Sequence, residues 1–330
     1  MRHTGTVDPL LTVIVPGHNV EAYVDEALAS LTRQRFGAWR AILVDDASTD
    51  GTGAAFARAA ASDPRFTVVA HDRRRGLAAA RNTGLDLVET EFVAFFDSDD
   101  VLPDTAYERM VGTLERSGSD LVVGAYARLR PSDSDNDGGD GGYELGIVQP
   151  WVAAATDPER HGLTLAEHPQ VTGNIVAWSK VSRAAFWREH GLRFPDGVLY
   201  EDQLVAQQLY VAARAFDVIP DVVCHWRIRA EGTSITQHEA ALPVLIACLD
   251  AMRSGLAVLA ASGIGAAEQA RLDLILRMDV PRLAEIAATH QDPAYRSALG
   301  TFTREIWDAA TPPTRAAADA AALAAPLAWR

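Results

Sequence analysis

Short β-branched runs alternate with longer segments of helical spacing over residues 11–96, and this alternation limits the folds that the chain can adopt. The runs predicted as strands are 11–15, 41–44, 66–70 and 92–96. The segments predicted as helices are 21–31, 52–61 and 78–88. Strands that alternate with helices build βαβ units, in which helices cover both faces of a parallel sheet. The sequence therefore predicts an α/β fold with a mixed, mostly parallel sheet.

Polar residues follow the carboxyl ends of three of these predicted strands. His18 and Asn19 follow the first run, Asp45 and Asp46 follow the second, and an acidic cluster at 97–100 follows the fourth. Sheets of this kind bind ligands beyond the carboxyl ends of their strands. We therefore expect a binding site at that edge.

The remainder of the chain predicts one more strand, a polar loop and a helical appendage. A strand at 121–130 leads into residues 131–142, which are rich in Asp, Gly and Ser and predict a flexible acidic loop. From Thr236 onward the pattern is helical and rich in alanine, with interruptions at Pro281 and Pro312-Pro313. We therefore expect a domain at 1–236 and a helical C-terminal appendage at 237–330. Its apolar positions include Leu272, Ile275, Leu276, Leu283 and Ile286. Because these positions need a covering surface, the appendage is expected to pack on the first domain or to join protomers into a homo-oligomer.

Composition and charge argue against several classes of protein. The chain has 44 acidic and 30 basic residues, and its net charge of -14 disfavours binding to a nucleic-acid backbone. Uncharged stretches such as 255–267 are shorter than the ~20 apolar residues of a membrane helix, so no membrane span is expected. The first ten residues lack the apolar core of a secretory signal, which predicts a cytoplasmic protein. Cys224 and Cys248 form no CxxC pair and are expected in the core.

Several common catalytic motifs are missing from the sequence. Lys180 is the only lysine, and the two glycines that a Walker A motif needs before its lysine are missing, which excludes a P-loop. The sequence contains neither HExxH nor GxSxG. Gly51 and Gly53 imitate the start of a dinucleotide-binding motif, but Phe56 replaces its last small residue.

The acidic cluster at the end of the fourth predicted strand points to a divalent cation. Three carboxylates within Asp97-Ser98-Asp99-Asp100 repel one another unless a cation or hydrogen-bond donors lie among them. Alternate Asp side chains can ligate Mg²⁺ or Mn²⁺ and leave coordination positions for a diphosphate. The alternative is a solvated turn in which Asp100 or Asp104 caps the next helix.

Two further polar positions belong to the same predicted edge. Asp46 lies before a turn, where its carboxylate can accept a hydrogen bond from a ribose hydroxyl or a pyrimidine N–H. Arg81 lies on a helix that would direct it to the same end of the sheet. By contrast, Ser48 and Asp50 are explained equally well as caps of the following helix.

A second metal motif competes with this interpretation. Asp133, Asp135, Asp137, Gly138 and Glu144 satisfy the spacing of an EF-hand calcium loop. A strand ending in Pro131 precedes this segment instead of the helix of an EF-hand. A disordered acidic loop is the favoured interpretation, and a calcium site is the alternative.

Taken together, these motifs resemble the inverting family 2 glycosyltransferases, whose Rossmann-like fold is called GT-A. The resemblance spans residues 11–237, and the motifs agree with the family in order and spacing. They are Val15-Pro16-Gly17-His18-Asn19 with Glu21, Val44-Asp45-Asp46-Ala47-Ser48, Gly76 with Arg81-Asn82, Asp97-Ser98-Asp99-Asp100 and Tyr200-Glu201-Asp202.

This resemblance implies roles for residues in the first half of the chain. Pro16 and His18 would flank the nucleotide base, Asp46 and Arg81 would hydrogen-bond it, and Asp97 would approach the ribose. Asp99 and Asp97 would ligate a metal ion on the diphosphate. The family often has tyrosine at the position of His18, so the donor base is less well defined.

The resemblance also implies a catalytic base. Asp202 would take the proton of an attacking hydroxyl, with Glu201 beside it. Asp202 follows an apolar, strand-like segment and begins a helical stretch, which would place it at the carboxyl end of the sheet. The alternative is that both acids only stabilise a helix N-terminus through its dipole.

A basic segment near residue 230 provides further candidates for the diphosphate. Arg227 and Ser234 are expected to contact the diphosphate, and His225 is a candidate metal ligand. The alternative for His225 is a hydrogen-bonded structural histidine.

The predicted activity is metal-dependent, inverting transfer of a hexosyl or N-acetylhexosaminyl group from a nucleotide sugar, with UDP as the expected nucleotide. The predicted acceptor is a hydroxyl of a glycan or cell-wall polymer, and the predicted cofactor is Mn²⁺ or Mg²⁺. The main alternative is a non-catalytic nucleotide-binding or assembly protein that keeps the fold. A nucleotidyltransferase is a third alternative, but it would normally need a Gly-rich loop and lysines that this chain lacks.

Overall fold

The computed structural model describes residues 8–132, 142–230, 232 and 238–329. The strands are β1 (Leu11–Gly17), β2 (Trp39–Asp45), β3 (Phe66–Ala70), β4 (Phe92–Phe95), β5 (Leu121–Pro131), β6 (Tyr143–Val148), β7 (Arg160–Leu163), β8 (Lys180–Arg183) and β9 (Phe216–Arg227). The α-helices before residue 213 are α1 (Glu21–Thr32), α2 (Thr52–Ser62), α3 (Leu77–Leu85), α4 (Ala106–Ser117), α5 (Pro150–Thr156), α6 (Ala184–Glu189) and α7 (Asp202–Ala212). The later helices are α8 (Leu242–Ser262), α9 (Gly265–Leu274), α10 (Val280–Thr289), α11 (Pro293–Ala309), α12 (Pro312–Ala317) and α13 (Ala320–Ala328).

All of the strands in the described residues belong to one sheet of order β3-β2-β1-β4-β8-β5-β9-β7, and β6 pairs with β5. Pairing is parallel between β1 and β2, β1 and β4, β2 and β3, and β5 and β9. β8 lies between β4 and β5 and is antiparallel to both, so β5 runs in the same direction as β4. The mixed, mostly parallel α/β sheet predicted from the sequence is confirmed.

The strands next to the predicted site are buried because their residues are apolar on both faces. Every residue of β1 and β4 is buried, as expected for strands of a parallel sheet that helices cover on both sides. The largest apolar cluster joins these strands to α1, α2 and α4. A rigid sheet therefore positions the loops that follow β1, β2 and β4.

The chain divides into two compact units, and this division differs from the single boundary after residue 236 that the sequence predicted. The first unit comprises residues up to 164 together with 176–197 and 212–228. The second comprises 165–175, 198–211 and the residues from 229 onward. Helix α7 belongs to the second unit because its buried side chains bond there: Gln207 Nε2 donates to the carbonyl of Thr172, and the Tyr210 hydroxyl donates to that of Asn174.

The second unit buries most of the apolar positions of its own helices. Leu272, Ile275, Leu276 and Leu283 are at most 1% exposed, and Ile286 packs against the same cluster. Their covering surface is therefore supplied within the unit, which removes the sequence argument for a homo-oligomer. A π-helical segment, Ile275–Asp279, leads directly into α10, so Pro281 lies in the first turn of a helix instead of ending one.

One helix among the described residues, α8, is long and apolar enough to cross a membrane by length and composition alone. No such span was expected from the sequence, because its uncharged stretches, such as 255–267, are shorter than the ~20 apolar residues of a membrane helix. This indication is weak, since the core helix of a soluble protein passes the same test. In the second unit, Leu245, Cys248 and Leu249 of α8 are buried in the apolar cluster.

Candidate functional site

Asp46 lies at the carboxyl end of β2 and is held by hydrogen bonds. Its Oδ1 accepts from Nδ1 of His71 at 2.7 Å and from the amide of Arg75 at 2.8 Å. Its Oδ2 accepts from the amide of Gly76 at 2.7 Å. Burial alone would raise the pKa of Asp46, but these three donors hold it below its usual value. The site therefore contains a fixed, ionised carboxylate.

Gly76 is required for this arrangement. Its φ of +94° lies in the region that L side chains rarely adopt, and this conformation accompanies the bond from its amide to Asp46. The Arg75-Gly76 segment thus forms a backbone cradle for the carboxylate at the N-terminus of α3.

The residues predicted to flank a base lie beside Asp46. Nδ1 of His18 is 2.9 Å from the backbone oxygen of Asp46, and an oxygen acceptor requires that this nitrogen carry the proton. Pro16 is buried in β1, and its carbonyl accepts from the Ser98 hydroxyl at 2.6 Å. The loops after β1, β2 and β4 are therefore joined directly.

Arg81 and Asp97 form an ion pair at the same edge of the sheet. Nη2 of Arg81 donates to Oδ1 of Asp97 at 2.8 Å. The side chain of Arg81 is 1% exposed, whereas that of Asp97 is 23% exposed. The structure thus brings Arg81 to the acidic cluster, as the sequence predicted, and leaves Asp97 partly accessible from solvent.

The acidic cluster itself contains carboxylates in two different environments. Asp100 is buried, and its Oδ1 accepts from the amide of Arg227 at 2.8 Å. Burial, together with the charges of Asp99 and Asp97, raises the pKa of Asp100 well above its usual value. Asp99, by contrast, is partly exposed. Asp97 and Asp99 are therefore the members of the cluster that can meet a ligand.

Arg227 stabilises this cluster from β9. Its Nε donates to the carbonyl of Asp99 at 2.7 Å, and its Nη2 pairs with Glu26 at 2.6 Å. The side chain is 2% exposed and lies over the ring of Tyr143. This arrangement favours a role in fixing the backbone of the cluster over the predicted direct contact with a diphosphate.

His225 precedes Arg227 by two residues and is tied to the same loop through its backbone. Its amide donates to the carbonyl of Val101 at 2.8 Å, and the amide of Val101 donates back at 3.2 Å. Burial lowers the pKa of the His225 ring, which favours the neutral form that metal sites use. Its role as a metal ligand stays a prediction.

The donor atoms near the acidic cluster are suited to a hard divalent cation. Carboxylate oxygens such as those of Asp97 and Asp99 are preferred by Mg²⁺ and Mn²⁺. The described residues contain no group of three or more His, Cys, Asp or Glu placed to hold a metal ion. A cation bound here would therefore take few of its ligands from the protein.

Glu201 and Asp202 lie in the second unit, at the start of α7. The preceding residues 190–200 form loop and turns instead of the strand-like segment that the sequence predicted, and Gly191 and Gly197 have positive φ angles there. Tyr200 has a φ of +58°, which is strained for a residue with a side chain and is typical of functional sites. Glu201 is 4% exposed, whereas Asp202 is more accessible. Of the two acids, Asp202 is the better placed to meet an acceptor.

Some predicted residues lie outside the described part of the chain. These are Ser234 and the acidic segment 133–141, which includes most of the proposed calcium loop. Glu144, its last predicted ligand, is in β6 and accepts from the Ser132 hydroxyl at 2.9 Å.

Two residues of the site, His71 and Glu26, were not predicted from the sequence. His71 follows the carboxyl end of β3 directly, and this position is the signal that could have identified it. Glu26 on α1 carries the counter-charge of Arg227, but its helical position alone gives no indication of that role.

Sequence comparisons relate this chain to glycosyltransferases. The model of the family described as glycosyl transferase family 2 matches residues 12–141. Glycosyltransferase GlyA of Streptococcus pneumoniae is 29% identical over 260 residues, which are 78% of this chain and 36% of that protein. Putative glycosyltransferase EpsH of Bacillus subtilis is 30% identical over 228 residues, 67% of this chain and 61% of that protein. A third relative, the UDP-Glc:alpha-D-GlcNAc-diphosphoundecaprenol beta-1,3-glucosyltransferase WfgD of Escherichia coli, is 29% identical over 119 residues, 36% of this chain and 48% of that protein. This chain thus spans less than two thirds of the length of each relative.

Two solved structures share the fold. TarS 1-349 of S. aureus in complex with UDP superposes with a TM-score of 0.63 and 20% identity, and covers 92% of this chain and 84% of that one. The mannosyltransferase PcManGT of Pyrobaculum calidifontis in complex with GDP-Man and Mn²⁺ gives a TM-score of 0.53 and 22% identity, covering 98% and 87%. The two structures confirm the predicted fold. Residues 12–141 of this chain thus match glycosyl transferase family 2, and the chain shares the GT-A fold of these solved structures.

Proposed function

We propose that the chain transfers a sugar from a nucleotide-sugar donor to a hydroxyl of a glycan or cell-wall polymer, with inversion at the anomeric carbon. The observation that carries this proposal is the convergence of Asp46, Arg81 and Asp97 at the carboxyl edge of the sheet. A buried, ionised carboxylate at the same edge of the sheet as a buried cation and an accessible acid suits a ligand with both N–H donors and phosphate charge.

UDP is the proposed nucleotide. The printed name of WfgD specifies a UDP-glucose donor, and TarS has been crystallised with UDP. The Asp46 carboxylate agrees with this choice. Its Oδ2 accepts one hydrogen bond from the Gly76 amide and can accept a second from a pyrimidine N–H. His18, fixed beside it, would lie against the base.

Asp97 and Asp99 are the residues proposed to hold Mn²⁺ or Mg²⁺, with His225 as a further candidate. A divalent cation held there would offset the charge that grows on a departing nucleoside diphosphate. Arg227 would keep the Asp99 backbone in place during this step, because its guanidinium is bonded to the Asp99 carbonyl. PcManGT, of similar fold, has been crystallised with Mn²⁺, which supports a metal-dependent reaction here.

Asp202 is proposed to accept the proton of the acceptor hydroxyl as that oxygen attacks the sugar. A single displacement opposite to the leaving group inverts the anomeric centre and needs no covalent nucleophile. Glu201 precedes it and is more deeply buried, which suits a residue that supports the segment. The cytoplasmic location and the identity of the acceptor stay predictions.

A thermal-shift screen of UDP, GDP and CDP, each with and without Mn²⁺, tests the donor proposal. A ligand at about a hundred times its Kd stabilises the folded protein by about 2.7 kcal/mol. We expect the largest shift with UDP and Mn²⁺ together. Equal shifts with all three nucleotides, or no effect of Mn²⁺, would contradict the assignment of nucleotide or metal.

Release of UDP from UDP-sugars in the presence of Mn²⁺ distinguishes the enzyme from a non-catalytic protein of the same fold. We expect slow hydrolysis even without an acceptor, because water can replace the hydroxyl. Tight UDP binding without release of UDP from any donor would favour the non-catalytic alternative.

A further inference from the structure

A cluster of aromatic side chains covers part of the sheet in the first unit. None of its residues has a role in the proposed reaction. Its buried aromatic members are Tyr126 and Trp178, which lie with Ala125, Val152 and Cys224, and the partly exposed Trp151 and Trp226 pack against them. The rings of Tyr126 and Trp178 meet edge to face at 4.8 Å between centroids, and those of Trp178 and Trp226 are 6.3 Å apart. The cluster therefore has a fixed, buried base and two partly accessible indoles.

Arg128 lies against both of these indoles. Its guanidinium carbon is 5.2 Å from the ring centroid of Trp226 and 5.7 Å from that of Trp151. Its Nε is buried without a hydrogen-bond partner, and no ion pair to Arg128 occurs among the described residues. Burial, and then the nearby charge of Arg130, lower the pKa of Arg128.

Other arginines of the first unit, unlike Arg128, have a carboxylate partner among the described residues. Arg81 pairs with Asp97, Arg109 with Asp221 and Arg227 with Glu26. A cation withdrawn from water is costly unless an anion or hydrogen-bond acceptors compensate. The two indole faces attract the guanidinium of Arg128 but accept no hydrogen bond of ordinary strength. Arg128 is therefore prepared to bind an anion.

The position of Arg128 relates it to the candidate site. Arg128 of β5 is the register partner of Trp226 in β9, and the next residue of β9, Arg227, donates to the carbonyl of Asp99. β5 and β9 run in the same direction as β4, so both approach the edge of the sheet that carries the acidic cluster. A ligand on this surface would therefore lie near the same edge of the sheet as the proposed donor site.

We propose that Arg128, Trp151 and Trp226 form an acceptor subsite for a saccharide or polyol that carries an anionic group. This inference rests on the proposed function, because it assigns a chemical class to the acceptor of that reaction. The guanidinium presents paired N–H donors to a phosphate or carboxylate, and an indole offers an apolar face to the C–H groups of a sugar ring.

The net charge of the protein favours a local cation at the place where an anionic acceptor would bind. With a net charge of -14, the chain as a whole repels anions. The half-buried cation of Arg128 compensates for this repulsion at the place where the acceptor would bind, because partly buried charges are screened less than exposed ones.

Indole N–H signals in ¹H–¹⁵N NMR spectra provide a direct test. The probes are glucose 1-phosphate, glucuronate and neutral glucose, titrated into the full chain, and Trp151→Phe and Trp226→Phe variants assign the signals. We expect the Trp151 and Trp226 signals to shift with one or both anionic probes, and not with glucose at the same concentrations. A response to glucose 1-phosphate alone indicates a phosphate-bearing acceptor, and a response to glucuronate alone indicates a carboxylate.

Variants of Arg128 test the role of the cation. Arg128→Gln should weaken binding of the anionic probe by about tenfold or more, as expected for the loss of a charge-assisted hydrogen bond. Arg128→Lys keeps the charge without the paired donors and should bind with intermediate affinity. Arg130→Gln is the matched control, because it removes an equal charge from an exposed position two residues along β5.

Three results would overturn the inference: no shift with either anionic probe, equal shifts with glucose, or equal losses in Arg128→Gln and Arg130→Gln. Binding of UDP with Mn²⁺, measured on the unaltered chain by calorimetry, separates this failure from that of the proposed function. If UDP binds while the probes do not, only the acceptor subsite is wrong. If UDP does not bind, the donor proposal itself is wrong.

Discussion

His71 and Asp46 are joined by a hydrogen bond of 2.7 Å between imidazole Nδ1 and carboxylate Oδ1. The other ring nitrogen of His71 lies 2.9 Å from the Thr83 hydroxyl. When that hydroxyl donates a hydrogen bond to Nε2, Nδ1 carries the ring proton and donates a hydrogen bond to Asp46. His71 therefore connects α3 to the carboxylate that is proposed to recognise the base. His71 and Asp46 are 25 residues apart in sequence.

Replacement of His71 is expected to weaken both the fold and donor binding. His71→Ala leaves a buried carboxylate with one donor fewer, which costs about 1–3 kcal/mol of stability. UDP affinity should fall as well, because the orientation of Asp46 is less restricted. Calorimetric titration with UDP and urea denaturation measure the two effects.

His71→Asn is the matched control, because its amide N–H can replace the Nδ1 donor. It should recover part of the lost UDP affinity. Affinity that stays unchanged in His71→Ala would contradict the positioning role of His71.

The metal proposal predicts unequal effects within the acidic cluster. Asp99→Asn should abolish the increase in UDP affinity that Mn²⁺ produces, because an amide oxygen is a weaker ligand than a carboxylate. Asp97→Asn should reduce that increase less, since Arg81 already neutralises part of the charge on Asp97. Calorimetry of UDP binding with Mn²⁺ and with a chelator measures this difference. An unaltered Mn²⁺ effect in Asp99→Asn would exclude Asp99 as a ligand.

The site also illustrates which parts of the structure can be predicted from sequence. The apolar runs of β1, β2 and β4 are largely buried on both faces and end in polar loops, so their existence and their ligand-binding edge follow from local pattern. The pairing of β8 between β4 and β5 does not, because Lys180–Arg183 is short and its partners are distant in sequence. For the same reason, the bond from His71 to Asp46 is visible only after β3 is placed beside β2.

The division into two units could not be read from composition either. Residues 198–211 lie between segments of the first unit, and their assignment to the second depends on side-chain bonds such as that from Gln207 to Thr172. The alanine-rich pattern after residue 236 predicted the later helices correctly. It contained no information about the earlier segments that join them.

Asp120 provides a test of pH dependence outside the site. The amide and guanidinium of Arg214 donate to its carboxylate at 2.8 and 2.7 Å. Burial alone would raise the pKa of Asp120, but these bonds lower it below the usual value. A lowered folded-state pKa adds stability above the unfolded-state value of about 3.9, and this stability is lost as pH falls through the folded-state pKa.

The stability difference between the wild type and Asp120→Asn should therefore be constant near neutral pH and shrink below about pH 4. Urea denaturation at several pH values measures it. A difference that grows on acidification would show that the pKa of Asp120 is raised in the folded protein.

Arg271 is expected to be a major contributor to the stability of the second unit. Its side chain is 4% exposed, and its Nη2 reaches Asp279 at 3.4 Å and Oε1 of Gln203, in the first turn of α7, at 3.1 Å. Arg271→Met would leave Asp279 without this partner and should destabilise the unit by about 3 kcal/mol. Urea denaturation followed by circular dichroism measures the loss. Arg271→Met combined with Asp279→Leu should recover much of it, and a double variant less stable than the single one would contradict this account.

The last prediction concerns the catalytic base. Asp202 begins α7, follows the strained Tyr200, and is more accessible than Glu201. General-base assistance contributes about 10²–10⁴-fold to a rate, so Asp202→Asn should lower kcat by a factor in that range. Donor affinity should change little, because Asp46, Arg81 and Asp99 are assigned to donor binding. Glu201→Gln tests the neighbouring acid: a large loss of kcat in that variant, with near-native transfer by Asp202→Asn, would assign the base to Glu201. Near-native transfer by both variants would exclude the inverting mechanism with either residue as its base.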